Sequence, residues 1–345
     1  MDRKLNGIEI ISQFLLKIRD VIENSGINNL DEYEIFYRGE SKNYGKTIPG
    51  IFRSDNDLKN EHRLFRELEL RYPNVFDNAK STIDKLAIMQ HYGLPTRLLD
   101  FTTNPLLALY MAIDKDDLSD ICPTIKIVFV KKDTIKYYDS DTVSVLSNFA
   151  KVKNDLEVDL NILADNNGKI EKSSRGMCKS TYTYLDNYSK IKALNIKQKN
   201  QAGKLICDNN ASLHYLLHEI KGEKSYFKDM IWIEHLDKHV VFVKPKHNSQ
   251  RLINQAGLFA LFGLNDGKKE NFSLEDFAAN ESDNVKIKQF SLHECVNDKK
   301  DLCITCTEDY IKSLKTALGI LGITKDKVYP EMENASKYIK ELFDK

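Results

Sequence analysis

Two blocks of the chain hold the residues whose types and spacing could do chemistry. The first, Glu34-Ile35-Phe36-Tyr37-Arg38-Gly39-Glu40, reads as a strand that runs into a turn at Gly39. Arg38 offers a planar fork of donors suited to phosphate or carboxylate, which lysine cannot match. Gly39 would let a ligand come close to the backbone, and Glu40 would be the nearest carboxylate. The alternative for Arg38 is structural, a buried pair with a carboxylate such as Asp100. The second block runs from His91 to Pro105. Arg97 and Asp100 stand three apart on an otherwise apolar strand-like run, so they point to opposite faces and each needs its own partner. Unlike charges among apolar residues are costly unless they are paired or used. Asp100 therefore either orients Arg38 or His91 or serves as scaffold. His91 is either a ligand contact or an ordinary structural histidine, and Thr102 either bonds a ligand or caps the helix that follows.

Other chemistries lack their motifs. There is no Ser, Cys or His nucleophile signature, no Walker phosphate loop and no Gly-x-Gly-x-x-Gly. His293, Cys295, Cys303 and Cys306 form a metal-like cluster, but a zinc site would want a second tight pair, and Cys303 and Cys306 flank an apolar run. Reduced, buried thiols and no bound metal are expected.

The two blocks also carry a resemblance. Phe36-Tyr37-Arg38-Gly39 resembles the Phe-x-Arg-Gly signature of the bacterial FRG-domain family. Met89 to Thr102, with Asn104-Pro105, is similar to that family's longer hallmark of the form QHxGLPTRLLDWTxNP, departing at Phe101, where the family usually has Trp. Arg251 with Gln255, Gly257 and Phe259, and the tail LGITKDKVYPEMENAS, also look like the family. More distantly, a strand carrying Tyr-Arg-Gly and an aromatic-Thr strand end resemble ADP-ribosyltransferases of the Arg-Ser-Glu type. That likeness implies NAD as substrate, with Arg38, Gly39, His91, Arg97, Asp100, Thr102 and Asn104 holding the dinucleotide and Thr102 bonding a ribose. It assigns the chemistry to Arg38, Glu40 and Gln255. Arg-Ser-Glu enzymes place a Glu on a late strand to steady a developing cation. Here the matching segment offers Gln255, which carries no charge, so Glu40 would have to substitute.

These residues need elements to position them. The apolar spacing of Ile8, Ile11, Phe14, Leu15 and Ile18 predicts an amphipathic N-terminal helix within residues 1–30. Helices are predicted over Asp57–Tyr72, Ser81–Tyr92, Leu106–Ile113 and Tyr310–Leu321, and from Pro330 to Phe343. Strands are predicted at Glu34–Glu40, Thr96–Thr102, Ile125–Val130, Met230–Ile233 and His239–Val243, with a helix-to-strand passage around Gly257-Leu258-Phe259. Residues 139–229, rich in Asn, Lys, Asp and Ser, read as a mainly helical, peripheral insertion between core segments 31–138 and 230–345. The expected fold is α+β, with a split, mostly antiparallel central sheet like that of ADP-ribosyltransferases, flanking helices and this insertion.

Composition narrows the class. Lys plus Arg and Asp plus Glu are equal at 51 each over 345 residues, so there is no basic surplus of the kind duplex-DNA binders carry, although a local nucleic-acid patch is open. No apolar run is long enough to span a membrane, and the expectation is a cytoplasmic protein. The leading reading, implied by the resemblance to the FRG-domain family and to ADP-ribosyltransferases, is an effector in bacterial anti-phage or toxin-type defence that transfers ADP-ribose from NAD to an unknown macromolecular target. The alternatives are a non-catalytic nucleotide- or nucleic-acid-sensing module that regulates a partner, and a phosphodiester-cleaving toxin using His91, Arg97 and Asp100.

Overall fold

The computed structural model describes residues 6–115, 122–153, 162–164, 170–172, 196–197, 200, 204, 207–208, 211–232, 235, 240–246, 249–264, 273–296 and 308–331. A seven-stranded sheet organises them. Its strands are β1 (Tyr33–Glu40), β2 (Leu98–Thr102), β3 (Thr124–Lys131), β4 (Lys136–Tyr137), β7 (Val240–Lys244), β8 (Gly257–Phe262) and β9 (Val285–Ser291), in the order β4-β7-β8-β2-β1-β3-β9. Only the short β4–β7 pair is parallel. A separate hairpin joins β5 (Ile162–Ala164) to β6 (Ile170–Lys172). The fold is thus α+β with a mostly antiparallel sheet, as expected.

The sheet has a weak seam. β1 pairs with β3 along its whole length, from Tyr33 opposite Lys131 to Glu40 opposite Thr124. β2 pairs equally fully with β8. Between β1 and β2 a single pair is made, Tyr37 opposite Thr102. The seam also divides the apolar core on one face of the sheet. Leu98, Val241, Val243, Phe259 and Leu261 pack under α4 (Thr82–His91), α6 (Asp141–Asn148) and α7 (Ala211–Glu223). Tyr37, Ile125, Ile127, Phe129 and Phe290 pack under α1 (Gly7–Glu23), α5 (Pro105–Ile113) and α11 (Glu308–Ile320). Asp100 and Thr102, which share a face with Leu98 by strand alternation, belong to neither group. The other face carries one cluster, with Phe36, Leu99, Phe101, Val128 and Phe242.

Local sequence explains most of these elements. Asn6 and Glu9 form a capping box at α1, and Ser54, Ser81, Asn104 and Ser140 accept backbone N–H bonds at the starts of α2 (Asp55–Arg71), α4, α5 and α6. At the end of α4, Gly93 takes a positive φ of 85°, and Leu94 N–H bonds back to Met89 O at 3.0 Å, which stops the helix right after His91. Two expectations are corrected. Met230–Trp232 forms no strand, and β9, whose Lys286 and Lys288 suit an edge strand, is an additional one. Nor are the described helices within 139–229 peripheral. Val143, Leu146, Leu213, Leu216 and Ile220 are fully buried and complete the core beneath β2, β7 and β8. Most of the predicted Pro330–Phe343 helix lies outside the described residues, and among the described residues no helix is long and apolar enough to cross a membrane.

Candidate functional site

Strand alternation places Arg38 and Asp100 on opposite faces of the sheet. Arg38 shares its face with Phe36 and Phe101, and its Cζ lies 6.0 Å from the Phe101 ring centroid. Its Nη1 donates to the main-chain carbonyl of Asp100 at 2.9 Å, and its Nε donates to Glu40 Oε1 at 3.1 Å. The guanidinium therefore bridges the strands where backbone pairing has stopped. It does not pair with the Asp100 carboxylate. Glu40, itself buried, also faces Lys126, whose Nζ lies 3.5 Å from Glu40 Oε2 and 2.5 Å from Glu275 Oε1. Lys126 is fully buried and directly opposite Arg38 on β3, so two adjacent cations are neutralised by two carboxylates. Glu40 thus belongs to an ion network on the far face from Asp100.

Gly39 does not make room for a ligand. A Cβ there would lie 1.8 Å from the carbonyl oxygen of Ala108 and 2.9 Å from the amide nitrogen of Ala112, so the space beside it is filled by the backbone of α5. Arg97 is also corrected from ligand-holding to scaffold. Its side chain is 2 % exposed and makes a two-point contact with Glu61 of α2, through Nε to Oε1 at 2.8 Å and through Nη2 to Oε2. Its Nη1 donates to the carbonyls of Phe262 and Gly263, and the rings of Phe52 and Phe149 lie beside it. His91, Arg97 and Asp100 consequently cannot act as one acid–base set.

On the face of Asp100, segments far apart in sequence meet. Gln90 donates to Asp100 Oδ2 at 2.6 Å, and the Thr96 hydroxyl holds the other end of the Gln90 amide, so the carboxylate is oriented by the last turn of α4. Arg251, on α8 (Gln250–Asn254), forms an ion pair of 2.8 Å with Glu331 and lies over the Tyr329 ring at 5.0 Å. His91 completes the group. Burial and the nearby Arg251 cation depress its pKa to about 4, against the opposing pull of Asp100 and Glu331, so the imidazole is neutral at pH 7. Burial, and next to it the Asp114 carboxylate, raise the Tyr329 phenol well above its usual range. His91, Asp100, Arg251, Tyr329 and Glu331 are all only partly buried. Together they form a polar, charged cluster on this face of the sheet.

Thr102, Asn104 and Gln255 are bonded together at the end of β2. The Thr102 hydroxyl donates to Gln255 O at 2.6 Å and accepts from Asn104 N–H at 3.0 Å, while Asn104 Oδ1 caps α5. Gln255 Nε2 donates to Val328 O at 3.0 Å, so its amide is already bonded to the tail. The next residue, Ala256, has a positive φ of 45°, and its carbonyl accepts from Thr103 N–H. A non-glycine residue held there stores strain of about 1 kcal/mol or more.

Sequence reasoning placed His91, Asp100 and Thr102 in one region but left Gln90, Arg251, Tyr329 and Glu331 outside the candidate set. Arg251, Tyr329 and Glu331 stand in the two late segments set beside the family on sequence grounds, outside the candidate set. Among the described residues no group of three His, Cys, Asp or Glu is placed to hold a metal; Cys303 and Cys306 lie outside those residues.

The neutral His91 gives the protein a pH signature. The unfolded chain takes up a proton at this position near pH 6.5, whereas the folded chain does so only near pH 4. Between those values the unfolded state binds more protons, so stability must fall as pH drops through the window. Allowing for the partial exposure of the ring, the expected loss is about 2 kcal/mol. Urea unfolding at pH 7 and pH 4.5 should show it, and His91→Gln should reduce the difference between the two. An unchanged difference would place the titration elsewhere.

Residues 33–120, which hold both motif blocks, match the family model described as the FRG domain. No curated protein matches the chain, and no solved structure does.

Proposed function

We propose that the charged cluster around His91, Asp100, Arg251 and Glu331 binds NAD and serves an ADP-ribosyltransferase-like reaction on a macromolecular target in bacterial defence; residues 33–120 match the FRG domain model. The observation that supports this most is the convergence of four segments, around His91, Asp100, Arg251 and Tyr329–Glu331, beside the strand pair β1–β2, which makes a single backbone pairing.

NAD cleavage breaks the bond between nicotinamide and its ribose, the electron pair leaves with nicotinamide, and positive charge develops on the sugar. Such a step needs a fixed carboxylate near the anomeric carbon. Gln255 cannot supply one, and Glu40 is engaged on the other face. Asp100 can. Its carboxylate is oriented by Gln90, and its backbone carbonyl is held by Arg38. Arg38 is then a positioning residue for Asp100. His91, neutral at pH 7, can accept a proton from the incoming nucleophile as it attacks the anomeric carbon.

The test is release of nicotinamide from labelled NAD by the purified protein with cell lysate. Asp100→Asn keeps an acceptor for Gln90 and removes the charge, so turnover should fall about a hundredfold or more with little change in melting temperature. Unchanged turnover in Asp100→Asn would remove Asp100 from the chemistry. A wild-type protein that neither binds nor consumes NAD would sink the transferase reading. RNA or DNA cleavage in its place would favour a nuclease.

A further inference from the structure

We propose that Arg251 is the phosphate-binding group of this charged cluster and that Glu331 occupies it in the present conformation as a built-in competitor of an anionic ligand. The proposal deepens the nucleotide reading above and rests on it for the site.

The donors of the Arg251 guanidinium are unevenly used. Glu331 Oε1 meets Nη1 at 2.8 Å, and the Tyr329 ring stacks against the group at 5.0 Å. Arg251 Nε is buried and finds no acceptor among the described residues. A buried guanidinium N–H without a partner is unfavourable. The carboxylate therefore uses the fork incompletely, and the Tyr329 ring lies over the same group. A phosphate, with three oxygens arranged tetrahedrally, can take Nε and Nη together and would match the fork better. Arg97 offers no such opening, since it is buried and paired at two points with Glu61, and Arg38 faces the other side of the sheet.

The covering segment is tied down just before the contact. Asn254 Nδ2 donates to Lys327 O at 2.6 Å and Gln255 Nε2 to Val328 O at 3.0 Å. Among the described residues, a swing of Tyr329 to Glu331 would free Arg251 while the anchor at Val328 stays in place. Gln255 also accepts from Thr102 through its carbonyl, so the hinge is fixed to the end of β2, next to Asp100.

Inorganic pyrophosphate is the probe, titrated calorimetrically into the full chain. Removing the competing charge in Glu331→Gln should tighten binding roughly three- to tenfold, because the binding-competent population rises. Arg251→Lys keeps the charge but not the fork, and should lose detectable binding. Equal affinity in wild type and Glu331→Gln, no binding by Glu331→Gln, or full binding by Arg251→Lys would each overturn the proposal. If Glu331→Gln does not fold, Glu331→Asp, with a shorter carboxylate that reaches Arg251 less well, should also bind pyrophosphate more tightly than wild type. The two readings separate cleanly. A protein that never consumes NAD yet shows this order of pyrophosphate affinities fails as a transferase and keeps Arg251 as the anion site. One that turns over NAD with no effect of Glu331 keeps the transferase reading and loses the competitor.

Discussion

Arg97→Ala should be among the most destabilising single substitutions in the chain, costing about 3–5 kcal/mol and lowering the melting temperature by roughly 10 °C. Its removal strands the Glu61 carboxylate, which is only 5 % exposed, leaves the Phe262 and Gly263 carbonyls short of a donor, and opens a cavity between Phe52 and Phe149. Replacing both charges, Arg97→Met with Glu61→Leu, should recover the part of the loss that comes from the stranded carboxylate and the cavity, while the Phe262 and Gly263 carbonyls still lack the Arg97 donor. Calorimetric melting of the single and double variants is the check. A single variant as stable as wild type would mean that the Arg97–Glu61 contact carries little, and would return Arg97 to the list of ligand contacts.

Gly39→Ala is expected to destabilise by about 2–3 kcal/mol or more, without any ligand present. The atoms a methyl group would strike are backbone atoms of Ala108 and Ala112, which cannot turn aside as a side chain could. Accommodating it requires α5 to lift off β1, and the start of α5 is fastened to Thr102 through Asn104. The helix shift should therefore pass to Thr102 and the charged cluster beside it, and the function of that cluster should suffer along with stability. Had Gly39 served a ligand, the substitution would weaken binding and leave melting unchanged. Denaturant unfolding of Gly39→Ala distinguishes the two.

Much of this protein could be read from local signals. The β-branched run at Ile125–Val130, the capping residues Asn6, Ser81 and Asn104, and the stop at Gly93 each act within a few residues, so strands β1, β2, β3 and β7 and helices α1, α4 and α5 fall close to their expected places. Alternation along β2 is equally local, and it already separates Arg97 from Asp100. Which residue faces which partner is a different matter. The choice of Glu61 for Arg97, made across 36 positions, and of Asp100's carbonyl for Arg38, made across 62, depends on how α2 and β1 are docked, and no spacing rule encodes that.

The sequence by itself determined the FRG motifs, the α+β class and the presence of charged residues on otherwise apolar strands. Only the tertiary structure decided that Gly39 serves helix packing, that Arg38 and Glu40 lie on the opposite face from Asp100, and that Arg251 and Glu331 join His91 beside it. The physical reason is the seam. Strand pairing between β1 and β2 stops after one pair, the apolar core divides there, and polar groups from distant segments fill a place where neither backbone hydrogen bonds nor hydrophobic contacts close the structure.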